Sequence, residues 1–178
     1  MAAESDTESK KKLDEKEEEL RAIFLEIKLP HKDTYKLAVL GCGDKRHLKG
    51  NTKISESVLG KKIENTTYDL DVKHLGEDAE EHDCTEELPG KDFDITYAHV
   101  LLKFIPRELQ VALIENSYNA LASGGVAIHV IDGDNIKPDK DGFTSVDLDY
   151  IKDLLTESNI DYKIVELKYG FALVIIKA

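Results

Sequence analysis

The feature that most constrains the fold is a pair of strand-like segments joined by a very short turn. Residues 162–167 and 171–176 are rich in apolar and β-branched side chains, and Tyr169-Gly170 forms the turn between them. So short a connection allows only antiparallel pairing. The second segment, FALVII, is continuously apolar, which is typical of a strand buried on both faces of a sheet.

Upstream of this hairpin, strand-like and helix-like segments alternate. Strands are predicted at 37–40, 66–72, 93–99 and 126–131, and helices at 52–61, from Pro106 to Gly124-Gly125, and at 145–158. Such alternation predicts an α/β fold, a doubly wound and mostly parallel sheet with helices on both faces. A ligand is then expected at the carboxyl ends of the strands, near the point where the strand order reverses.

The N-terminal part of the chain divides into two predicted segments. Residues 1–12 are polar and charged without an apolar period, which predicts a disordered tail. Residues 13–30 form a predicted amphipathic helix that ends before Pro30, with Leu20, Ile23 and Ile27 on its apolar face. We expect that face to dock on the domain rather than bind a partner, and residues 31–178 to form a single domain.

Composition excludes several classes of function. The 178 residues are 41% hydrophobic and 34% charged, a globular balance, and the net charge of −12 argues against nucleic acid as a partner. No apolar run has membrane-spanning length, and the polar first residues do not resemble a signal peptide. With only two cysteines, an acidic protein of the reducing cytoplasm is expected.

A glycine turn follows the first predicted strand, in the segment LAVLGCGDKR. Gly41 and Gly43 allow a tight turn and a close approach to a ligand, but a lone pair of glycines also fits a plain strand-to-helix turn. The third glycine of a dinucleotide fingerprint would stand at Arg46, and Asp44 would repel a pyrophosphate. The turn therefore argues against a dinucleotide cofactor.

Two acids lie at the end of the second predicted strand. Asp69 and Asp71 point to one face of that strand, and a carboxylate there matches the two vicinal hydroxyls of a ribose. Either of them can fill this role, and both can instead belong to a solvated strand edge.

Four motifs in order, VLGCG, HDCTEELP, FDITYAHVLL and LASGGVAIHVID, resemble class I S-adenosylmethionine-dependent methyltransferases. The resemblance covers about residues 37–178. It implies a seven-stranded Rossmann-like sheet with a C-terminal antiparallel hairpin, S-adenosylmethionine as cofactor, and methyl transfer to a small molecule or a protein. Gly124-Gly125 matches the turn before the fifth strand and is structural.

The resemblance also implies a role for each motif residue. Gly41, Cys42 and Gly43 would line the amino-acid part of the cofactor, Asp69 or Asp71 would bind the ribose, Asp83 and the Cys84 amide would bind the adenine, and Tyr97, Ala98 and His99 would face the methyl group. Methyl transfer depends on alignment and, where the acceptor carries a proton, on a base. His99 is the candidate base and Tyr97 a second catalytic candidate, although a histidine here can also be a core residue.

Three departures from the family pattern leave alternatives open. Val39 stands where many members carry an acid, Lys45 replaces the third glycine of the motif, and the segment between Asp69 and Asp83 is too short for the usual helix. A methyltransferase-like binding or scaffold module without catalysis is therefore a second hypothesis, and a nicotinamide or other nucleotide binder a third. The N/D-P-P-Y motif is absent from the sequence, so a nucleobase amino group is not the indicated acceptor.

No metal site is expected. His82-Asp83-Cys84 has no second ligand pair at a standard spacing. The acid-rich segment DGDNIKPDKDG lacks the spacing and the terminal Glu of an EF-hand, and we interpret it as a loop beside the mouth of the site.

Overall fold

The protein is described by a computed structural model that covers residues 5–73, 75–133 and 143–178. Seven strands and four α-helices make up this part of the chain. In chain order they are α1 (Asp6–Glu26), β1 (Thr34–Leu40), α2 (Lys45–Leu59), β2 (Lys62–Asp69), β3 (Ala79–Glu81), β4 (Phe93–His99), α3 (Arg107–Asn119), β5 (Leu121–Asp132), α4 (Leu148–Glu157), β6 (Asp161–Leu167) and β7 (Gly170–Ile176).

The strands form one sheet in the order β3-β2-β1-β4-β5-β7-β6. Neighbouring strands from β3 to β5 are parallel, and β7 pairs antiparallel with both β5 and β6. The predicted mostly parallel, doubly wound sheet with a C-terminal antiparallel hairpin is therefore confirmed. The strand order reverses between β1 and β4, which places the expected ligand site at their carboxyl ends.

Alternate residues of the strands form a separate core on each face of the sheet. Leu37 and Val39 of β1 belong to the core under α1 and α2, whereas Ala38 and Leu40 belong to the core under α3 and α4. Both cores are built from side chains that are almost fully buried, because the central strands are covered on both faces. The sheet is thereby a rigid platform for the loops at its carboxyl edge.

Helix α1 begins earlier than the sequence predicted. It starts at Asp6, so the expected disordered tail is wrong for residues 6–12, and residues 1–4 lie outside the described part. The cause is local: Ser5 and Glu8 form a reciprocal capping box at the helix start. The predicted apolar face is confirmed as a docking face, since Leu20 and Ile23 are at most 3% exposed.

Helix α2 also begins earlier than its predicted start at residue 52. Its N-cap is Asp44, whose carboxylate accepts a hydrogen bond from the Arg46 backbone N–H, and its C-cap is Gly60 in the left-handed conformation. The first turn is rich in basic side chains, which hides it from a search for apolar periodicity. As a result the helix follows the glycine turn directly.

The segment between β2 and β3 is compact. Strand β2 occupies 62–69 rather than the predicted 66–72, and a 3₁₀ turn at Gly76–Asp78 precedes the three-residue strand β3. Among the described residues, this 3₁₀ turn takes the place of a crossover helix between β2 and β3, in keeping with the short segment between Asp69 and Asp83. Asp71 consequently lies beyond the strand, in the loop.

The sequence predicted that Gly124-Gly125 ends a helix, and this prediction is wrong. Helix α3 ends at Asn119, and β5 begins at Leu121 opposite Phe93. The next described pair is Ile95 with Val126, so both glycines belong to a bulge inside β5. The bulge explains why only the second half of β5 had the pattern of a strand.

The remaining elements agree with expectation within a few residues. Helix α4 spans 148–157, and Lys168-Tyr169 forms the hairpin turn one position before the predicted one. Asp134, Asp139 and Asp141 of the predicted acidic loop lie outside the described residues. Among the described helices, none combines the length and the apolar character needed to cross a bilayer.

Candidate functional site

The backbone of the glycine turn after β1 has a conformation that requires glycine at one position and leaves space beside another. Gly41 has φ +81°, and its N–H donates to the Tyr68 carbonyl. A Cβ on Gly41 would lie 3.1 Å from Leu101 of the loop after β4, whereas a Cβ on Gly43 would meet no protein atom within 4 Å. The backbone at Gly43 therefore faces open space that a ligand can enter.

Cys42 between these glycines is a packing residue. It is 8% exposed and its thiol donates to the Asp44 carbonyl at 3.3 Å. The pKa of the Cys42 thiol is raised, mainly because the thiol is buried. With its thiol buried and protonated, Cys42 offers its backbone rather than its side chain to a site.

The carboxylate of Asp44 caps the N-terminus of α2 and places a negatively charged side chain there. Its carboxylate forms an ion pair with Arg46, at 2.6 Å from Oδ2 to Nη2, and the Arg46 side-chain hydrogen bonds lower the Asp44 pKa to about 2. Arg46 also pairs with Asp6 at the start of α1. The helix end that holds a pyrophosphate in dinucleotide-binding folds is thus filled by a carboxylate.

Asp69 and Asp71, the two ribose candidates, have different surroundings. Asp69 is half-buried at the end of β2, and its Oδ2 accepts the Cys42 N–H at 2.6 Å while Oδ1 accepts the Asp71 N–H at 3.0 Å. Asp71 is exposed and accepts from the Lys73 backbone. The bond to Cys42 brings Asp69 into contact with the glycine turn.

Asp83 and Cys84 follow β3 at the same edge of the sheet. Asp83 Oδ1 accepts from both the backbone N–H and the hydroxyl of Thr85, and these bonds lower the Asp83 pKa, so the carboxylate is ionised. Cys84 is 7% exposed, and burial raises the pKa of its thiol to about 12. Its carbonyl accepts from Asn116 at 3.2 Å.

Tyr97 and Ala98 do not reach the edge of the sheet. Both are 2% exposed within β4, with Tyr97 in the core under α1 and α2 and Ala98 in the core on the other face. Burial and, second, the charge of Glu19 raise the Tyr97 pKa well above its ordinary value. The expectation that their side chains face a reacting group is wrong, because strand alternation turns both inward.

His99 is the one member of this predicted trio at the carboxyl edge. It is the last residue of β4, its side chain is 26% exposed, and its Nε2 lies 3.2 Å from Oε2 of Glu19 on α1. The structure therefore brings His99 to the same edge of the sheet as Gly41, Asp69 and Asp83, with a carboxylate beside it.

Aromatic side chains and an ion pair line the loops after β4 and β5. Phe104 and Phe143 pack edge to face at 5.5 Å and are 58% and 41% exposed. Lys103 lies over both rings and forms an ion pair with Asp132 at 3.0 Å. Buried Gln110 donates to carbonyls on both sides of this region and so fixes its shape.

Two residues with candidate roles were missed from the sequence. Glu19 reads as one acid in a solvated helix face, and only the packing of α1 across the sheet brings it to His99. His82 has a buried Nε2 with no hydrogen-bond partner in the described residues, beside Asp83 and edge-on to Tyr68. Its position in the HDC motif was the available signal. In the described ranges, no cluster of three or more His, Cys, Asp or Glu side chains could hold a metal ion.

Comparisons of sequence give no relative. No protein-family model matches the chain, and no curated protein matches it.

Comparisons of structure show the fold. An S-adenosylmethionine-dependent methyltransferase from Mesorhizobium loti superposes with a TM-score of 0.65 at 16% identity, over 93% of this chain and 100% of the other. One from Aquifex aeolicus gives 0.59 at 16% identity, over 98% and 100%. The O-methyltransferase NcsB1 from neocarzinostatin biosynthesis, bound to S-adenosyl-L-homocysteine and 1,4-dihydroxy-2-naphthoic acid, gives 0.57 at 13% identity over 80% of this chain.

This chain spans about half the length of NcsB1, since 49% of that protein is covered. The superpositions and the observed strand order together confirm the Rossmann-like fold of class I S-adenosylmethionine-dependent methyltransferases for the chain.

Proposed function

We propose that the protein is an S-adenosylmethionine-dependent methyltransferase. The observation that carries this proposal is the negative end cap of α2. Asp44 fills the position where a dinucleotide would place its phosphates, so the site favours an adenosine ligand without phosphate. S-adenosylmethionine is such a ligand, and its analogue S-adenosyl-L-homocysteine is bound in NcsB1, which shares the fold.

The residues at the carboxyl edge fit this cofactor in kind. Asp69 is the proposed ribose ligand, because it is tied to the glycine turn, and ionised Asp83 is the proposed acceptor for the adenine amino group. The open backbone at Gly43 and the Cys42 backbone would line the amino-acid part. The cofactor supplies an electrophilic methyl group, and the chain supplies alignment and, through His99, a base.

The acceptor is proposed to bind beside His99 at the loops after β4 and β5. Phe104 and Phe143 are exposed there on a segment held by Gln110, which suits an acceptor with an apolar surface. A small molecule and a protein side chain both meet this description. We also propose a reducing compartment such as the cytoplasm, consistent with two unpaired, buried cysteines.

The first test is ligand-induced stabilisation. Saturation at about a hundred times Kd adds roughly 2.7 kcal/mol, which raises the Tm of a chain of this size by about 5–10 °C. We expect this shift with S-adenosyl-L-homocysteine and none with NAD. The absence of a shift at millimolar S-adenosyl-L-homocysteine would refute the proposal, and a shift with NAD alone would favour a nicotinamide binder.

A catalytically inactive binding module is the second candidate. It is favoured by Val39, which is 2% exposed in the core where many methyltransferases carry an acid, and by Lys45 at the first position of α2. This candidate predicts that S-adenosyl-L-homocysteine binds while no methyl group is transferred. Incubation with methyl-labelled S-adenosylmethionine and a broad panel of small molecules and proteins separates the two.

A further inference from the structure

A carboxylate from the N-terminal helix meets the histidine at the end of β4. Glu19 Oε2 lies 3.2 Å from His99 Nε2, and the two side chains are 14% and 26% exposed. The contact joins residues 80 positions apart in the chain, so it exists only because α1 packs on this face of the sheet. Such a pairing has the form of a base and the group that orients it.

Two buried polar atoms without a hydrogen-bond partner in the described residues belong to this same pairing. They are Oε2 of Glu19 and the hydroxyl of Tyr97, and the charge of Glu19 acts on Tyr97. Buried polar groups are almost always satisfied, because each unsatisfied one costs about 1–3 kcal/mol. Two of them beside one histidine indicate that this place is built for more than stability. In ligand-free proteins the hydrogen bond between a base and the group that orients it is commonly long or poorly aligned, which is the state of the 3.2 Å contact between Glu19 and His99.

Resting on the methyl-transfer function proposed above, we propose that Glu19 is the positioning residue of His99. The Glu19 carboxylate lies 3.2 Å from Nε2 without a hydrogen bond in the described residues, and in the occupied site it accepts the Nε2–H of the imidazole, which leaves Nδ1 unprotonated and available. No described residue forms a hydrogen bond with Nδ1. The imidazole is thus held in one tautomer and one orientation at the edge of the sheet.

The step assigned to this pair is the removal of the acceptor's proton. His99 Nδ1 takes the proton from the acceptor's hydroxyl or amine as the acceptor's lone pair bonds to the methyl carbon. The electron pair of the broken carbon–sulfur bond stays on sulfur. The imidazolium formed on His99 is stabilised by the Glu19 carboxylate, whose side chain is only 14% exposed.

A purely structural ion pair is the competing explanation, in which Glu19 only fastens α1 to the sheet. The two explanations differ in what the imidazole does when the cofactor analogue binds. ¹⁵N-histidine-labelled protein with S-adenosyl-L-homocysteine reports on this directly, because the nitrogen shifts give the tautomer and a hydrogen-bonded imidazole proton resonates at low field. His99→Asn assigns the His99 signals, and buried His129 is the internal control.

In the presence of S-adenosyl-L-homocysteine at slightly alkaline pH, we expect His99 to carry its proton on Nε2 with a low-field resonance. Glu19→Leu is expected to abolish that resonance. Glu19→Gln, which retains an oxygen acceptor, and Glu18→Leu, on an exposed neighbour, are expected to keep it. Addition of the analogue should shift the His99 signals and leave those of His129 unchanged.

Persistence of the low-field proton in Glu19→Leu, or a proton on Nδ1 in the wild-type protein, overturns the proposal. A rise in Tm with S-adenosyl-L-homocysteine and no change at His99 places the pair outside the site, which also overturns it while the proposed function stands. No rise in Tm means that the proposed function itself fails, so the two failures are distinguishable.

Discussion

The carboxylate of Asp69 accepts a 2.6 Å hydrogen bond from the backbone N–H of Cys42, which ties the end of β2 to the glycine turn after β1. The bond links the two loops that flank the proposed cofactor site. It also distinguishes Asp69 from Asp71, which the sequence left as equal candidates. A charge-assisted bond of this kind contributes about 1.5–3 kcal/mol.

Replacement of Asp69 should therefore affect both the turn and the ligand. We expect Asp69→Ala to weaken S-adenosyl-L-homocysteine binding by roughly 10- to 100-fold, the equivalent of a lost charged hydrogen bond, and to lower the Tm. Asp71→Ala is the matched control and should change the affinity by less than about twofold. Isothermal titration calorimetry measures both, and equal losses in the two variants would mean that the ribose acid has been assigned wrongly.

Gly43 offers a test of the open space at the turn. Gly43→Ala adds a Cβ that meets no protein atom within 4 Å, so the Tm of the ligand-free protein should change little. The same Cβ would enter the space proposed for the cofactor and should lower its affinity by at least about tenfold. Gly41→Ala is the contrasting variant: it should destabilise the fold by about 1 kcal/mol or more, because Gly41 has φ +81°. An unchanged affinity in Gly43→Ala would place the ligand elsewhere.

Asp83 is expected to act on the adenine without supporting the fold. Asp83→Asn retains an oxygen that can accept from Thr85 but removes the charge, and it should weaken S-adenosyl-L-homocysteine binding by about tenfold with a near-native Tm. Exposed Asp78 on the preceding 3₁₀ turn gives the control, Asp78→Ala. If both substitutions leave the affinity intact, Asp83 is not the adenine ligand.

His129 makes stability dependent on pH. It is 1% exposed, its Nε2 lies 2.9 Å from the Ser117 hydroxyl, and burial lowers its pKa from 6.5 to about 4. The unfolded chain therefore binds a proton between about pH 6.5 and pH 4 that the folded chain does not, so stability falls as the pH falls through this window. The expected loss is on the order of 2–3 kcal/mol.

Urea titrations at several pH values measure this contribution. His129→Gln should flatten the decline in the free energy of unfolding between pH 6.5 and pH 4, whatever its effect at neutral pH. His31→Gln, on an exposed residue, should leave the decline as it is in the wild-type protein. A decline of the same steepness in His129→Gln would show that other groups cause it.

The central sheet could be predicted because its strands carry their own signals. Strand β4 was predicted at its observed bounds, since it is rich in aromatic and β-branched residues and follows a Pro-Gly turn. The starts of α1 and α2 were missed because caps at Ser5 and Asp44 determine them rather than apolar periodicity. The start of β5 was missed because the glycines at its bulge interrupt the pattern of a strand.

The candidate site was predictable only where it follows from a single strand end. Asp69 ends a strand and Gly41 and Asp83 follow one, and parallel pairing brings such residues to one edge. The inward orientation of Tyr97 was in principle available from strand alternation. Glu19 was not available, because its contact with His99 depends on where a distant helix packs.

Strand β7 is the last strand of the sheet to be synthesised, yet it lies between β5 and β6. On the ribosome, β5 must therefore wait with one unpaired edge until residues 170–176 have emerged. Strand β6 has no neighbour to join before then. Completion of the sheet is thus a late event in translation, and a nascent chain stalled before β7 would present an apolar strand edge that invites chaperone binding or aggregation.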